Sequence, residues 1–146
     1  MLPLVDYLIE TFGSGPVFAM VAAFGAWVIW FIWPKAGDAV EKINTDEYLR
    51  LSENPHLLID VRTPEEFAAG HAPQAINVPL GQLMRSDEKK LTATIGSKPV
   101  VCICATGIRS AMAAKRLAKL GYSNLHNLKG GMSAWNAARL PEKTNA

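Results

Sequence analysis

The chain is poor in cysteine, with two among 146 residues, and poor in histidine, with three. Two cysteines cannot build a disulfide framework, and two unpaired thiols agree with a reducing compartment. No Cys/His group has metal-ligand spacing, so neither a metal nor another cofactor is expected. Lys and Arg are missing from the first 34 residues; all fifteen come later. A secretory signal peptide needs a basic start and a small-residue cleavage site. Here Asp6 and Glu10 precede the apolar run and Pro34-Lys35 follows it, which argues for an uncleaved anchor instead. A long basic run is lacking too. Residues 35–146 carry fifteen positive and eleven negative side chains, a charge of +4, in mixed order. The one basic group, Lys115, Arg116 and Lys119, reads as a solvated helix face rather than a nucleic-acid site. Repeats and low-complexity tracts are absent.

What the chain does have is an uncharged stretch, Val17 to Trp33, bracketed by Pro16 and Pro34. As a helix these seventeen residues reach about 26 Å, close to the thickness of a bilayer's hydrocarbon core. Trp27, Trp30 and Trp33 recur toward one end, as in an interfacial aromatic belt. A helix apolar on every face belongs in lipid or in the core of a large protein, and the rest of this chain is too small to bury one. The expectation is a single transmembrane helix over residues 16–34. A short segment, residues 1–15, precedes it, with Leu4, Val5, Leu8, Ile9 and Phe12 suited to an interfacial helix. The excess of Lys and Arg after residue 34 then places the C-terminal part in the cytoplasm of a single-pass membrane protein, in a bacterial inner membrane. Membrane lipid and a membrane protein partner are the expected neighbours. Ala19, Ala22, Ala23 and Ala26 give a weak small-residue spacing for helix association.

A linker (35–42) leads to one domain (43–140) and a tail (141–146). Asn44 and Glu47 form a capping-box pattern before a helix over residues 45–51. Leu57 to Asp60 reads as a buried strand. Thr63, Pro64 and Glu66 open a second helix, which Gly70 closes. Ala75 to Val78 is a short strand, and Leu80 to Leu91 a weakly patterned helix. Pro99 to Ile103 is a buried strand and Arg109 to Leu120 a helix ended by Gly121. Leu125 to Leu128 is the last strand, and Gly130-Gly131 turns into a helix over Met132 to Ala138. Strands alternating with helices predict an α/β fold, a mostly parallel sheet with helices on both faces.

Between the fourth strand and its helix lies Cys104-Ala105-Thr106-Gly107-Ile108-Arg109. A cysteine on such a turn faces loop N–H groups and the positive end of a helix dipole, with Arg109 adding a fixed charge. All three favour the thiolate, which is the nucleophile. The position, beyond the carboxyl end of a strand, is where open α/β sheets bind ligands. Cys102, two residues earlier, shares a face with Cys104 but belongs in the core as a small hydrophobe. A disulfide between them is disfavoured by the separation of extended i and i+2 residues.

Three stretches together resemble a single-domain rhodanese, a sulfurtransferase family. They are Asp60-Val61-Arg62 with Glu66 to His71 and Ala75 to Pro79; Cys104 to Ser110; and Leu128-Lys129-Gly130-Gly131-Met132-Ser133-Ala134-Trp135. The resemblance covers about residues 40 to 140, in order, and leaves the apolar segment outside. It implies a rhodanese-like three-layer domain in which Cys104 accepts a sulfane sulfur and carries it as a persulfide. The N–H groups of Ala105, Thr106, Gly107, Ile108, Arg109 and Ser110 would cradle both states. The donor implied is thiosulfate, a polysulfide or a protein persulfide, and the acceptor is cyanide or a thiol. Related phosphatases carry one more residue between Cys and Arg, and the tighter loop suits sulfur better than a phosphate. Because Ala105, Thr106 and Ile108 are uncharged, Arg109 is the only loop cation and an anionic donor gains less attraction. Asp60, Arg62, Glu66 and His71 are expected as supporting residues: Arg62 and Glu66 tying strand to helix, Asp60 near the loop, His71 as scaffold. The alternative is a membrane-tethered rhodanese fold used only as an interaction module.

Overall fold

The computed structural model describes residue 10, residues 14–32 and residues 40–145. The chain divides into two compact units, residues 1–34 and 35–146.

In the first unit one helix is described, α1 (Ser14–Ile32), of 19 residues with no acidic or basic residue in its end turns. Its side chains are exposed: Met20, Phe24, Trp30 and Phe31 each show more than 60 % of their surface. Trp27 stacks against Phe24 at 5.9 Å and against Phe31 at 5.5 Å, the i−3 and i+4 neighbours of a helix face. Among the described residues no helix is long and apolar enough to cross a membrane. The expected helix therefore forms, but the crossing expected of it is not supported. Trp33, Pro34, the proposed linker up to residue 39 and the proposed interfacial segment other than Glu10, Ser14 and Gly15 lie outside the described residues.

The second unit is a five-stranded parallel sheet. In chain order it contains β1 (Val40–Ile43), α2 (Thr45–Ser52), β2 (Leu57–Asp60), α3 (Pro64–Ala69), β3 (Ile76–Asn77), α4 (Leu80–Arg85), α5 (Glu88–Ile95), β4 (Val100–Ile103), α6 (Ile108–Lys119), β5 (Leu125–Leu128) and α7 (Gly131–Ala137). The strands lie in the order β1-β5-β4-β2-β3. Strand β4 is central, and all four of its residues are buried, as a strand covered on both faces requires. Its side chains alternate between two cores. Val100 and Cys102 join Ile59, Leu83, Leu91, Ala113, Ala114 and Leu117 under α4, α5 and α6. Val101 and Ile103 join Leu58, Tyr48, Met132 and Trp135 under α2 and α7. Ala113 and Ala114 let α6 lie close to the sheet.

Two elements depart from the sequence reading. Strand β1 falls partly inside the expected linker. It is an edge strand, so Glu41 and Lys42 stay exposed and leave no alternating apolar pattern to read. The helix expected over Leu80–Leu91 is two helices, because the Asp87 side chain accepts the Lys90 N–H at 2.8 Å and starts α5. The tail is tied down as well: His71 and Lys143 exchange backbone hydrogen bonds at 2.9 and 2.8 Å, and the Trp135 indole donates to the Pro141 carbonyl at 2.9 Å.

Candidate active site

All five strands point the same way, so the turns after β1, β2, β4 and β5 meet at one edge of the sheet. Cys104 follows central β4 there and is 1 % exposed. The chain must turn sharply into α6, and Gly107 makes the turn with a φ of +95°. Helix α6 has no side chain capping its start. Its free donors face sulfur instead: the Gly107 N–H points at Cys104 Sγ at 3.1 Å, and the Ser110 hydroxyl lies 3.3 Å from it.

These contacts set the charge on the sulfur. Burial pushes the Cys104 thiol up, but hydrogen bonds from the Ser110 side chain and from the Ser110, Thr106 and Gly107 backbone outweigh it, and the thiol is held below its ordinary value. Cys102 receives none of this. Burial, and then the Cys104 charge, push it up to about 12. The loop donors thus favour the thiolate at Cys104, while Cys102 packs as a small hydrophobe.

A second layer fixes the loop. The Asn127 side-chain amide donates to the Gly107 carbonyl at 3.1 Å, and its oxygen lies 2.6 Å from Ser110 Oγ. Sulfur, Ser110, Asn127 and Gly107 thus close a ring. The start of α7 holds the other side: Met132 N–H donates to the Cys104 carbonyl at 2.7 Å, and Ser133 N–H to that of Ala105 at 3.0 Å. This approach leaves no room for a Cβ on Gly131, which would fall on the Cys104 carbonyl oxygen. The sequence reading missed Asn127. Its signal was there: a polar side chain in a fully buried parallel strand needs a partner.

The supporting residues divide differently from expectation. Arg62 clamps buried Asp60, with Nη2 at 2.7 Å from the carboxylate, and also donates to the Gly70 carbonyl at 2.6 Å. Asp60 thus answers to Arg62, not to the loop. Glu66 does not join Arg62; it accepts two hydrogen bonds from Arg109, each 2.7 Å. Arg109, then Thr63, hold the Glu66 carboxyl down to about 2. The Arg109 guanidinium is raised chiefly by Glu66, with the Cys104 charge a lesser cause. Its hydrogen bonds therefore serve α3, and the thiolate rests on the loop donors. His71 accepts no catalytic geometry: its Nδ1 meets the Phe67 carbonyl at 2.7 Å and its ring stacks on Phe67 at 3.7 Å. Ala105, Thr106 and Ile108 contribute backbone to the loop. Among the described residues no group of three or more His, Cys, Asp or Glu could hold a metal ion.

Known proteins are similar to this chain. The profile of the family described as Rhodanese-like domain matches residues 44–138. A protein of Bacillus subtilis, "Uncharacterized protein YqhL", is 37 % identical over 113 residues, which is 77 % of this chain and 86 % of that one. "Adenylyltransferase and sulfurtransferase UBA4" of Yarrowia lipolytica is 33 % identical over 102 residues, 70 % of this chain but only 25 % of that longer protein. The crystal structure of a rhodanese-related protein from Thermoplasma volcanium superposes with a TM-score of 0.61 at 28 % identity, covering 70 % of this chain and 97 % of that one. With a profile match that spans β2 to β5, the cysteine loop and α7, the chain belongs to the rhodanese-like domain family.

Proposed function

We propose that the protein is a sulfurtransferase in which Cys104 carries sulfane sulfur as a persulfide. The observation that carries this reading is the sulfur at the uncapped start of α6, met by the Gly107 N–H and the Ser110 hydroxyl. The thiolate attacks the outer sulfur of thiosulfate or a polysulfide. A Cys104 S–S bond forms, the donor S–S bond breaks, and its electron pair leaves with sulfite or the shortened polysulfide. A thiolate or cyanide acceptor then attacks the outer sulfur, and the electron pair of the broken bond returns to Cys104 Sγ. No net oxidant is needed. The same donors stabilise the thiolate and the anionic persulfide, so neither state requires a rearranged loop. The sulfurtransferase name of the longer yeast relative agrees with this chemistry.

The test is thiocyanate formation from cyanide with thiosulfate and, separately, with polysulfide. Wild type should turn over with at least one donor, and Cys104→Ser should fall to background. Turnover by Cys104→Ser at the wild-type rate would end the reading.

The proposal includes attachment to a membrane through the N-terminal unit, as a single-pass anchor with the domain on the cytoplasmic side. Its support is the uncharged α1 with exposed Phe24, Trp27 and Trp30. Protein that stays with membranes through carbonate washing supports attachment; release into the wash contradicts it.

A further inference from the structure

Beside the cysteine loop lies a groove of about 440 Å³. Gly107 forms one end. Along one wall run Ile108, Met112 and Lys115, which share a face of α6 at i, i+4 and i+7. Lys42 of β1 and Lys129 of the turn after β5 line it too. The sheet explains why they meet: Lys42 is in register with Asn127, and Lys129 lies two residues beyond Asn127, just past the end of β5. Ile108 is 71 % exposed and Met112 49 %, so the apolar side chains are open to a ligand. Among the described residues no acidic side chain lines the groove. Glu41, next to Lys42, has its carboxylate 3.2 Å from His126 Nδ1. Among the described residues the three lysines have no ion-pair partner. Arg109, the loop's own cation, is spent on Glu66.

We infer that this groove selects the thiol that exchanges sulfur with Cys104, and that this thiol is a low-molecular-weight compound bearing two or more negative charges on a partly apolar body. The inference rests on the sulfurtransferase reading and names its substrate class. The volume suits a small ligand rather than a protein. Three uncompensated lysines draw in anions and repel cations. Ile108 and Met112 cover the carbon skeleton. The transfer itself is the acceptor step above, with the anionic tail held in the groove while its sulfur reaches the persulfide.

The experiment uses the full chain at low salt, in wild type and in the double variant Lys42→Glu/Lys115→Glu. Cys104 is alkylated by iodoacetate and by iodoacetamide, with 2-mercaptoethanol as reference thiol. Sulfur-loaded protein is then unloaded by mercaptosuccinate, 2-mercaptoethanol and cysteamine, each normalised to its rate with a small disulfide. Wild type should favour iodoacetate over iodoacetamide more than the reference thiol does. It should also unload fastest to mercaptosuccinate and slowest to cysteamine. The double variant should lose about tenfold with the anionic reagents and keep its rates with the neutral ones, and added salt should erode the wild-type preference. Equal preferences in the two proteins would overturn the inference. The alkylation arm reads the groove even on protein that never gains sulfur. Charge discrimination without sulfur loading would therefore count against the sulfurtransferase reading alone, and loading without discrimination against the groove alone.

Discussion

Helices α3 and α6 both start beyond the carboxyl end of a parallel strand, and they start in opposite ways. At α3 the Thr63 hydroxyl accepts the Glu66 N–H at 3.2 Å and Glu66 accepts the Thr63 N–H at 2.9 Å, a closed capping box. At α6 the N-cap is Gly107, no side chain caps the helix, and a cysteine sulfur takes the place of the capping oxygen. Helix N–H groups left over at a helix start must find an acceptor. Where stability is the only demand, a side chain supplies it. Where an anion is to be made or held, the donors are kept for the anion. Glu66 joins the two ends, capping α3 with one face and gripping Arg109 of α6 with the other.

The comparison can be broken hardest at the glycine that brings α7 against the cysteine loop. Gly131→Ala puts a methyl on the Cys104 carbonyl at a φ of +53°, where only glycine is at ease. A loss of about 3 kcal/mol or more in chemical denaturation is expected. Next is Asn127→Ala, which leaves the Gly107 carbonyl and Ser110 without their buried partner. It should cost about 2 kcal/mol and slow alkylation of Cys104. A matched pair then separates the two helix starts. Thr63→Ala should cost about 1 kcal/mol and leave the pH midpoint of Cys104 alkylation where it was. Ser110→Ala should move that midpoint upward, because the thiolate loses a donor while burial still opposes it. If Thr63→Ala shifts the midpoint as much, the division of labour is wrong. The smallest effect is electrostatic. Glu66 titrates at about 2 in the fold, below its ordinary value. The stability it adds is complete above the ordinary carboxyl range and lost as pH falls toward 2. Glu66→Gln should flatten that acid dependence by well under about 1 kcal/mol, since the pair is more than a third exposed.

Much of this was legible in the residues. The capping boxes at Asn44 and Thr63, the buried run before Cys104 and the glycine stops mark the elements through local chemistry, and local chemistry is what a sequence displays. Cys104 and its loop stood out for the same reason. The parts that were not legible depend on partners far along the chain. Strand β1 carries charges because it is an edge, and nothing near Val40 announces that β5 lies beside it. Glu66 reads as a cap, which it is; its grip on Arg109 spans 43 residues and exists only once α3 and α6 share an edge of the sheet. The groove of Lys42, Lys115 and Lys129 joins three elements, while in sequence Lys115 reads as part of a solvated helix face. The first unit was legible in the same local way: the uncharged run predicted a helix, and α1 forms over most of it.

The most direct test of the central claim is the intact mass of the full-length protein after incubation with thiosulfate or polysulfide. The account predicts a gain of one sulfur that disappears on adding cyanide and never forms in Cys104→Ser. Folded protein with a titratable Cys104 thiol and no mass gain from either donor would contradict it.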